Sequence, residues 1–159
     1  LRTPRESIQV SWHIRVGDIE LDAGNSAYFA NVFRLLERLL VGFVFRISVI
    51  SESRLLRGFE TLLSLCDRLT NCATTVEPDV ERTMTALIFS DVLVTSGSSF
   101  SDLAAMYHRG LVLMRPSKDG PGSCFQKTDD FALDNTGALT NFEEARAKLL
   151  NLFALGVAQ

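Results

Sequence analysis

Short β-rich runs alternate with segments of helical period along most of this chain, and that rhythm leaves few folds open. Residues 7–16 set Ile8, Val10, Trp12, Ile14 and Val16 at every second position, the pattern of a strand with one apolar face. Residues 25–41 then change period. Phe29, Val32, Phe33, Leu36, Leu39 and Leu40 fall three and four apart, one stripe of a helix that Gly42 can close. Residues 43–50 are almost continuously apolar, the mark of a strand buried on both faces. A helix over 54–69 carries Leu55, Leu56, Phe59, Leu62, Leu63, Cys66 and Leu69 as its stripe, and a weak strand over 72–76 follows. Pro78 stands where the next helix can begin, with Val80, Met84, Leu87 and Ile88 as its buried face. A strand over 91–95, a helix over 99–109 stopped by Gly110, and a strand over 111–114 complete the series. Residues 115–139, punctuated by Pro116, Gly120, Pro121, Gly122 and Gly137, read as a loop. The Thr140–Glu143 spacing makes a capping box for a final helix carrying Phe142, Leu149, Leu152 and Phe153.

Strands that alternate with helices in this order imply a parallel sheet, because each crossover helix returns the chain to the same edge. The expected fold is α/β: a Rossmann-like parallel sheet of about five strands with helices on both faces. A length of 159 residues, 47% of them hydrophobic, suits one domain with its own core. Sixteen Lys and Arg against nineteen Asp and Glu leave a net charge of −3. That balance gives no overall reason to seek nucleic acid or an anionic membrane, so any bound anion needs a local site. The longest apolar runs fall far short of the roughly 20 residues that span a bilayer, and no basic-then-apolar signal peptide opens the chain. The first residue is Leu1 rather than Met, as in a fragment whose targeting segment lies elsewhere.

The three cysteines, Cys66, Cys72 and Cys124, do not make a disulfide framework, and no pair has the spacing of a zinc or redox site. Cys66 lies in an apolar helical stripe and reads as a small core residue; a single Cys72–Cys124 bridge stays open. No cluster of His, Cys, Asp and Glu has metal-ligand spacing, so no metal or cofactor is expected.

Ligands of open parallel sheets bind outside the carboxyl ends of the strands, which directs attention to the residues after each strand. His13 and Arg15, two apart, share the face opposite Trp12 and Ile14 at the end of the first strand, followed by Gly17 and Asp18. An arginine there can fork onto two phosphate oxygens and stays charged at any relevant pH. The same residues also suit a solvated strand end with a local Arg–Asp pair. Ser96, Gly97, Ser98 and Ser99 join the fourth strand to a helix that begins near Phe100. Glycine lets a ligand approach the backbone, and the helix N-terminus offers unpaired N–H groups and partial positive charge, a diphosphate cradle without a P-loop lysine. Simple capping by a Ser99–Asp102 box explains the same letters. A hydrolase nucleophile elbow is excluded, because its G-x-S-x-G glycines are missing around Ser99 and His108 lies on the same helix. Ser51 and Glu52 after the second strand, and Glu77 and Asp79 after the third, suit either sugar hydroxyls or helix N-termini. His108 and Arg109 read as dipole partners at a helix end.

Two segments together resemble a family. VSWHIRVGDIEL (10–21) is similar to the H-x-R-R-G-D strand end of the fucosyltransferase superfamily that includes α1,2-, α1,6- and protein O-fucosyltransferases. SDVLVTSGSSFSDLAAMYHRGLVL (90–113) looks like its later A-D-x-x-x-x-S-x-S-S-F-S segment, and FRISVISES (45–53) fits between them. The resemblance spans about residues 7–115 and implies the C-terminal, nucleotide-sugar half of a two-domain GT-B glycosyltransferase, here without the acceptor domain. By that resemblance Arg15 is the catalytic clamp on the GDP diphosphate, Ser96, Ser98, Ser99 and Phe100 line the donor, and His13, Gly17, Asp18 and Glu52 shape its site. The implied chemistry is inverting, metal-independent transfer from GDP-fucose to a glycan or protein acceptor in the Golgi or secretory pathway. One position departs: Val16 stands where the family has its second arginine. A non-catalytic nucleotide- or anion-binding Rossmann-like module is the alternative.

Overall fold

A computed structural model describes residues 7–15, 23–51, 59–77, 79–115 and 130–157. Strands β1 (Ile8–His13), β2 (Phe45–Ser51), β3 (Cys72–Val76), β4 (Val92–Val94), β5 (Leu111–Met114) and β6 (Phe131–Ala132) pair in the order β3-β2-β1-β4-β5-β6, all parallel. Helices α1 (Ala23–Leu39), α2 (Phe59–Asp67), α3 (Val80–Ile88), α4 (Ser99–Tyr107) and α5 (Phe142–Val157) fill the crossovers and the end of the chain. The architecture is the Rossmann-like α/β fold expected from the alternation.

Each side chain on β1 goes where the period of two sends it. Ile8, Val10, Trp12 and Ile14 enter the larger core beneath α1, α2 and α5, where Trp12 lies 5.1 Å from the ring of Phe33 and 5.8 Å from that of Phe29. The polar set turns toward the opposite helical layer, α3 and α4. Ser11 gives its hydroxyl to the Ala86 carbonyl at 3.0 Å, and His13 lies against Phe100. A smaller core of Ile50, Leu87, Leu93, Ala104, Ala105, Val112 and Met114 seals that second face. On the first face, Arg146 of α5 donates to the carbonyls of Leu39 and Val41, satisfying orphan acceptors at the end of α1.

Several expectations are corrected. Among the described residues the sheet has six strands, one more than the about five expected, because β6 lies within the segment read as a loop. Two residues are too few to show alternation, and β6 exists only through its pairing with Leu113 and Met114. Cys66 is not a free core thiol; it is bonded to Cys72, which also removes Cys72 from any bridge to Cys124. Arg68–Asn71 turn the chain from the end of α2 into β3 and bring the two Cα atoms to 5.1 Å, a separation a disulfide spans. Helix α3 is capped by Asp79, whose carboxylate accepts the Arg82 N–H, and Val80 is exposed while Thr83 and Leu87 are buried. Helix α5 starts at Phe142, one residue later than the Thr140–Glu143 box implies.

Candidate functional site

In the strand order 3-2-1-4-5-6 the chain reverses its direction of travel between β1 and β4, and the crevice of such a sheet opens there. The two segments singled out in the sequence end on these two neighbouring strands. His13 Nδ1 lies 3.2 Å from Ser96 Oγ, across 83 positions of sequence, and the His13 ring is 5.3 Å from that of Phe100. Arg15, half-buried, follows one residue beyond Ile14, whose N–H extends the ladder to the Ile50 carbonyl.

The turn after β4 is held by its own serines. Gly97 has φ +73°, a left-handed conformation that other residues reach only with strain, and it reverses the chain into α4. Ser98, extended at φ −97° and ψ 148°, is the N-cap. Its hydroxyl accepts the Ser101 N–H, so the box predicted at Ser99 and Asp102 is displaced by one residue: a cap needs non-helical backbone, and Ser99 is already in the first turn. Ser96, Ser98 and Ser101 form a triangle of hydroxyls 2.9 to 3.2 Å apart, and Ser101 Oγ also accepts the Ser96 N–H. Ser96 and Ser98 are therefore buried and occupied with the turn itself, whereas Ser99 is exposed and Phe100 half-buried. The turn therefore presents its backbone and the first N–H groups of α4 rather than a row of free hydroxyls.

His13 is 2% exposed, so the strand end is not solvated at this residue; Asp18, the other half of the expected Arg–Asp pair, lies outside the described residues. Burial, and behind it the Arg15 charge, pull the His13 pKa from 6.5 to about 4, so at neutral pH the imidazole is uncharged. It is a neutral post behind Ser96 rather than a cation of the site. His108 closes the end of α4 by hydrogen bonding: its Nδ1 accepts the Gly110 N–H and its Nε2 faces Ser90 Oγ at 3.2 Å. Gly17, Asp18 and Glu52 lie outside the described residues.

Three residues that sequence reasoning passed over belong to this edge. Ser101 is the fully buried corner of the serine triangle. Thr95, fully buried, accepts the Arg115 N–H on Oγ1 at 3.1 Å. Arg115 ends β5 as Arg15 follows β1, and its guanidinium carbon lies 4.6 Å from the centre of the Tyr28 ring. An arginine just past a strand was the available signal. Tyr28 is 3% exposed and, among the described residues, its hydroxyl has no hydrogen-bond partner. Burial raises its pKa well above the usual phenol value, opposed by Arg115 and assisted by Asp134, so the phenol keeps its proton. Gly137, at φ +81°, packs on Tyr28 where a Cβ would stand 2.9 Å from the Tyr28 carbonyl oxygen. Among the described residues no three His, Cys, Asp or Glu side chains gather as a metal site, and no helix is long and apolar enough to cross a membrane.

Fold and strand order together define a Rossmann-like α/β protein whose His13–Ser96 contact joins two strand ends at the switch point of the sheet. No protein-family profile matches the chain. No curated protein matches it in sequence comparison.

Proposed function

We propose that this chain is a GDP-sugar-binding domain of a fucosyltransferase-like glycosyltransferase, with the donor diphosphate held between Arg15 and the N-terminus of α4. The observation that carries the reading is the 3.2 Å contact of His13 with Ser96, which joins the H-x-R strand end to the serine turn at the switch point of the sheet. Both segments of the family resemblance therefore meet at one edge of the sheet, which supports a shared role. Val16 does not remove the clamp, because Arg15 is the position that shares its face with His13.

In this reading the guanidinium and the α4 N–H groups stabilise the charge that develops on GDP as it leaves the anomeric carbon, while the acceptor hydroxyl attacks with inversion. His13 acts indirectly: neutral and buried, it fixes Ser96 and Phe100 and so the angle at which the turn presents its N–H groups. The Cys66–Cys72 bridge supports maturation in an oxidising compartment, in keeping with the secretory location the resemblance implies.

Calorimetric titration with GDP, GDP-fucose and UDP tests the site. Guanine-selective binding is expected, weakened about tenfold or more in Arg15→Ala by loss of a charge-assisted contact. No binding, or equal binding in that variant, would sink the assignment. Sugar transfer that disappears in Arg15→Ala marks an enzyme, whereas selective binding with no transfer leaves the non-catalytic nucleotide-binding module.

A further inference from the structure

The two edges of the sheet end differently. Strand β6 closes one edge with two residues, too few to seat another strand. Strand β3 closes the other with five, CATTV, and carries none of the charge or proline that blunts an edge against pairing. Its register with β2 runs unbroken from Ile47↔Cys72 to Ser51↔Val76, so no bulge turns it away either.

The ladder to β2 fixes which groups of β3 look outward. Ile47 gives its N–H to the Asn71 carbonyl at 2.8 Å, and Glu77 gives its N–H to the Ser51 carbonyl at 3.0 Å. Alternate residues of a parallel strand direct both backbone groups to the same neighbour. Asn71, Ala73, Thr75 and Glu77 therefore serve β2, while Thr74 and Val76 turn their N–H and C=O groups away from the sheet, with the Cys72 carbonyl beside them. The Cys72 N–H is already given to the Leu69 carbonyl at 3.1 Å. Among the described residues nothing pairs with this outward row, and the side chains of Ala73 and Thr75 are exposed.

We propose that β3 pairs with β3 of a second copy of the chain, antiparallel about a two-fold axis at Thr74, so that one sheet runs through both. The proposal stands apart from the GDP-sugar reading. A second copy is the occupant because the outward row is its own complement. Turned end for end, each Thr74 exchanges N–H and C=O with the other, and each Val76 N–H meets the Cys72 carbonyl of the other copy. Charge sets the direction. Glu77 and Asp79 follow β3, whereas the Arg68–Asn71 turn before it has Arg68 as its charged residue. Parallel pairing would set Glu77 beside Glu77. Antiparallel pairing parts them by about 20 Å and brings each acidic end toward Arg68 of the other copy. The Cys66–Cys72 bridge holds the first residue of the strand to the end of α2, so less freedom is lost when the edge pairs. Five residues a side bury less than the roughly 1,200 Å² of a standard interface, so the dimer is weak and reversible.

Sedimentation equilibrium from about 10 µM to about 1 mM tests this, and the wild-type chain is expected to pass from monomer toward dimer across that range. The pairing sets exposed Ala73 opposite Thr75 of the other copy, which gives a test of register. Ala73→Lys with Thr75→Lys places like charges opposite each other and is expected to weaken the dimer about tenfold or more. Ala73→Lys with Thr75→Glu places opposite charges there and is expected to hold affinity within about threefold of wild type or above it. A wild-type chain that stays monomeric, a dimer unchanged by the two lysines, or equal loss in both double variants overturns the proposal. Amide exchange in the wild-type chain reads the same contact without substitution. The Thr74 and Val76 N–H groups are expected to exchange more slowly as concentration rises, and exchange independent of concentration overturns the pairing.

Discussion

At the scale of single residues, His13 shows how one position can serve the site without touching a ligand. His13 stays neutral beneath the turn, because a buried imidazolium facing Arg15 would be repelled and poorly solvated. Its folded pKa of about 4 lies below the unfolded value of 6.5, so the unfolded chain takes up the proton first as pH falls. The stabilising contribution is therefore complete above pH 6.5 and lost as pH drops from 6.5 through 4. The full depression corresponds to about 3 kcal/mol. Urea unfolding at pH 7.5 and pH 4.5 should show a loss of stability in the wild-type chain that is clearly smaller in His13→Gln; parallel losses in the two proteins would show that His13 is not the group responsible.

At the scale of elements, the β4–α4 junction is the part on which the site depends most. Gly97 supplies the left-handed residue, Ser98 the cap, and Ser101 the buried hydroxyl that locks them. Ser98 and Ser99 are neighbours of identical chemistry, yet only Ser98 has the extended backbone of a cap. Ser98→Ala should accordingly cost about 1 kcal/mol or more, and Ser99→Ala less than about 0.5 kcal/mol. Thermal unfolding of the two variants checks this directly; a larger loss for Ser99 would restore the capping box read from the letters S-x-x-D.

At the scale of the whole molecule, the sheet order does what no segment can do alone. It sets β1 beside β4 and β4 beside β5, so that residues from widely separated parts of the chain end at one edge of the sheet. The Cys66–Cys72 bridge fastens the outer strand of this sheet to the end of α2. Closing so short a loop restricts the unfolded chain modestly, by about 2 kcal/mol on a chain-entropy account. Reduction by dithiothreitol should lower the unfolding free energy by that amount, read as a lower urea midpoint, and Cys66→Ala with Cys72→Ala should show the same lowered midpoint with no further response to reductant. An unchanged midpoint on reduction would mean that the bridge contributes nothing to stability.

The sequence by itself determined the class of fold and the edge on which to look, because both follow from local periodicity. Ile8, Val10, Trp12 and Ile14 alternate, the α1 stripe repeats at three and four, and these patterns survive without any knowledge of neighbours. It also indicated Arg15 and the serine turn, since strand ends and helix starts are written in consecutive residues. Only the tertiary structure decided what those residues face. That His13 meets Ser96, that Ser96 and Ser98 are used up by Ser101, that Cys66 joins Cys72, that two residues suffice for β6, and that Arg115 stacks on Tyr28 are all consequences of packing. Such contacts arise from the order of strands and the turns between elements, which bring together positions that no period in the chain relates.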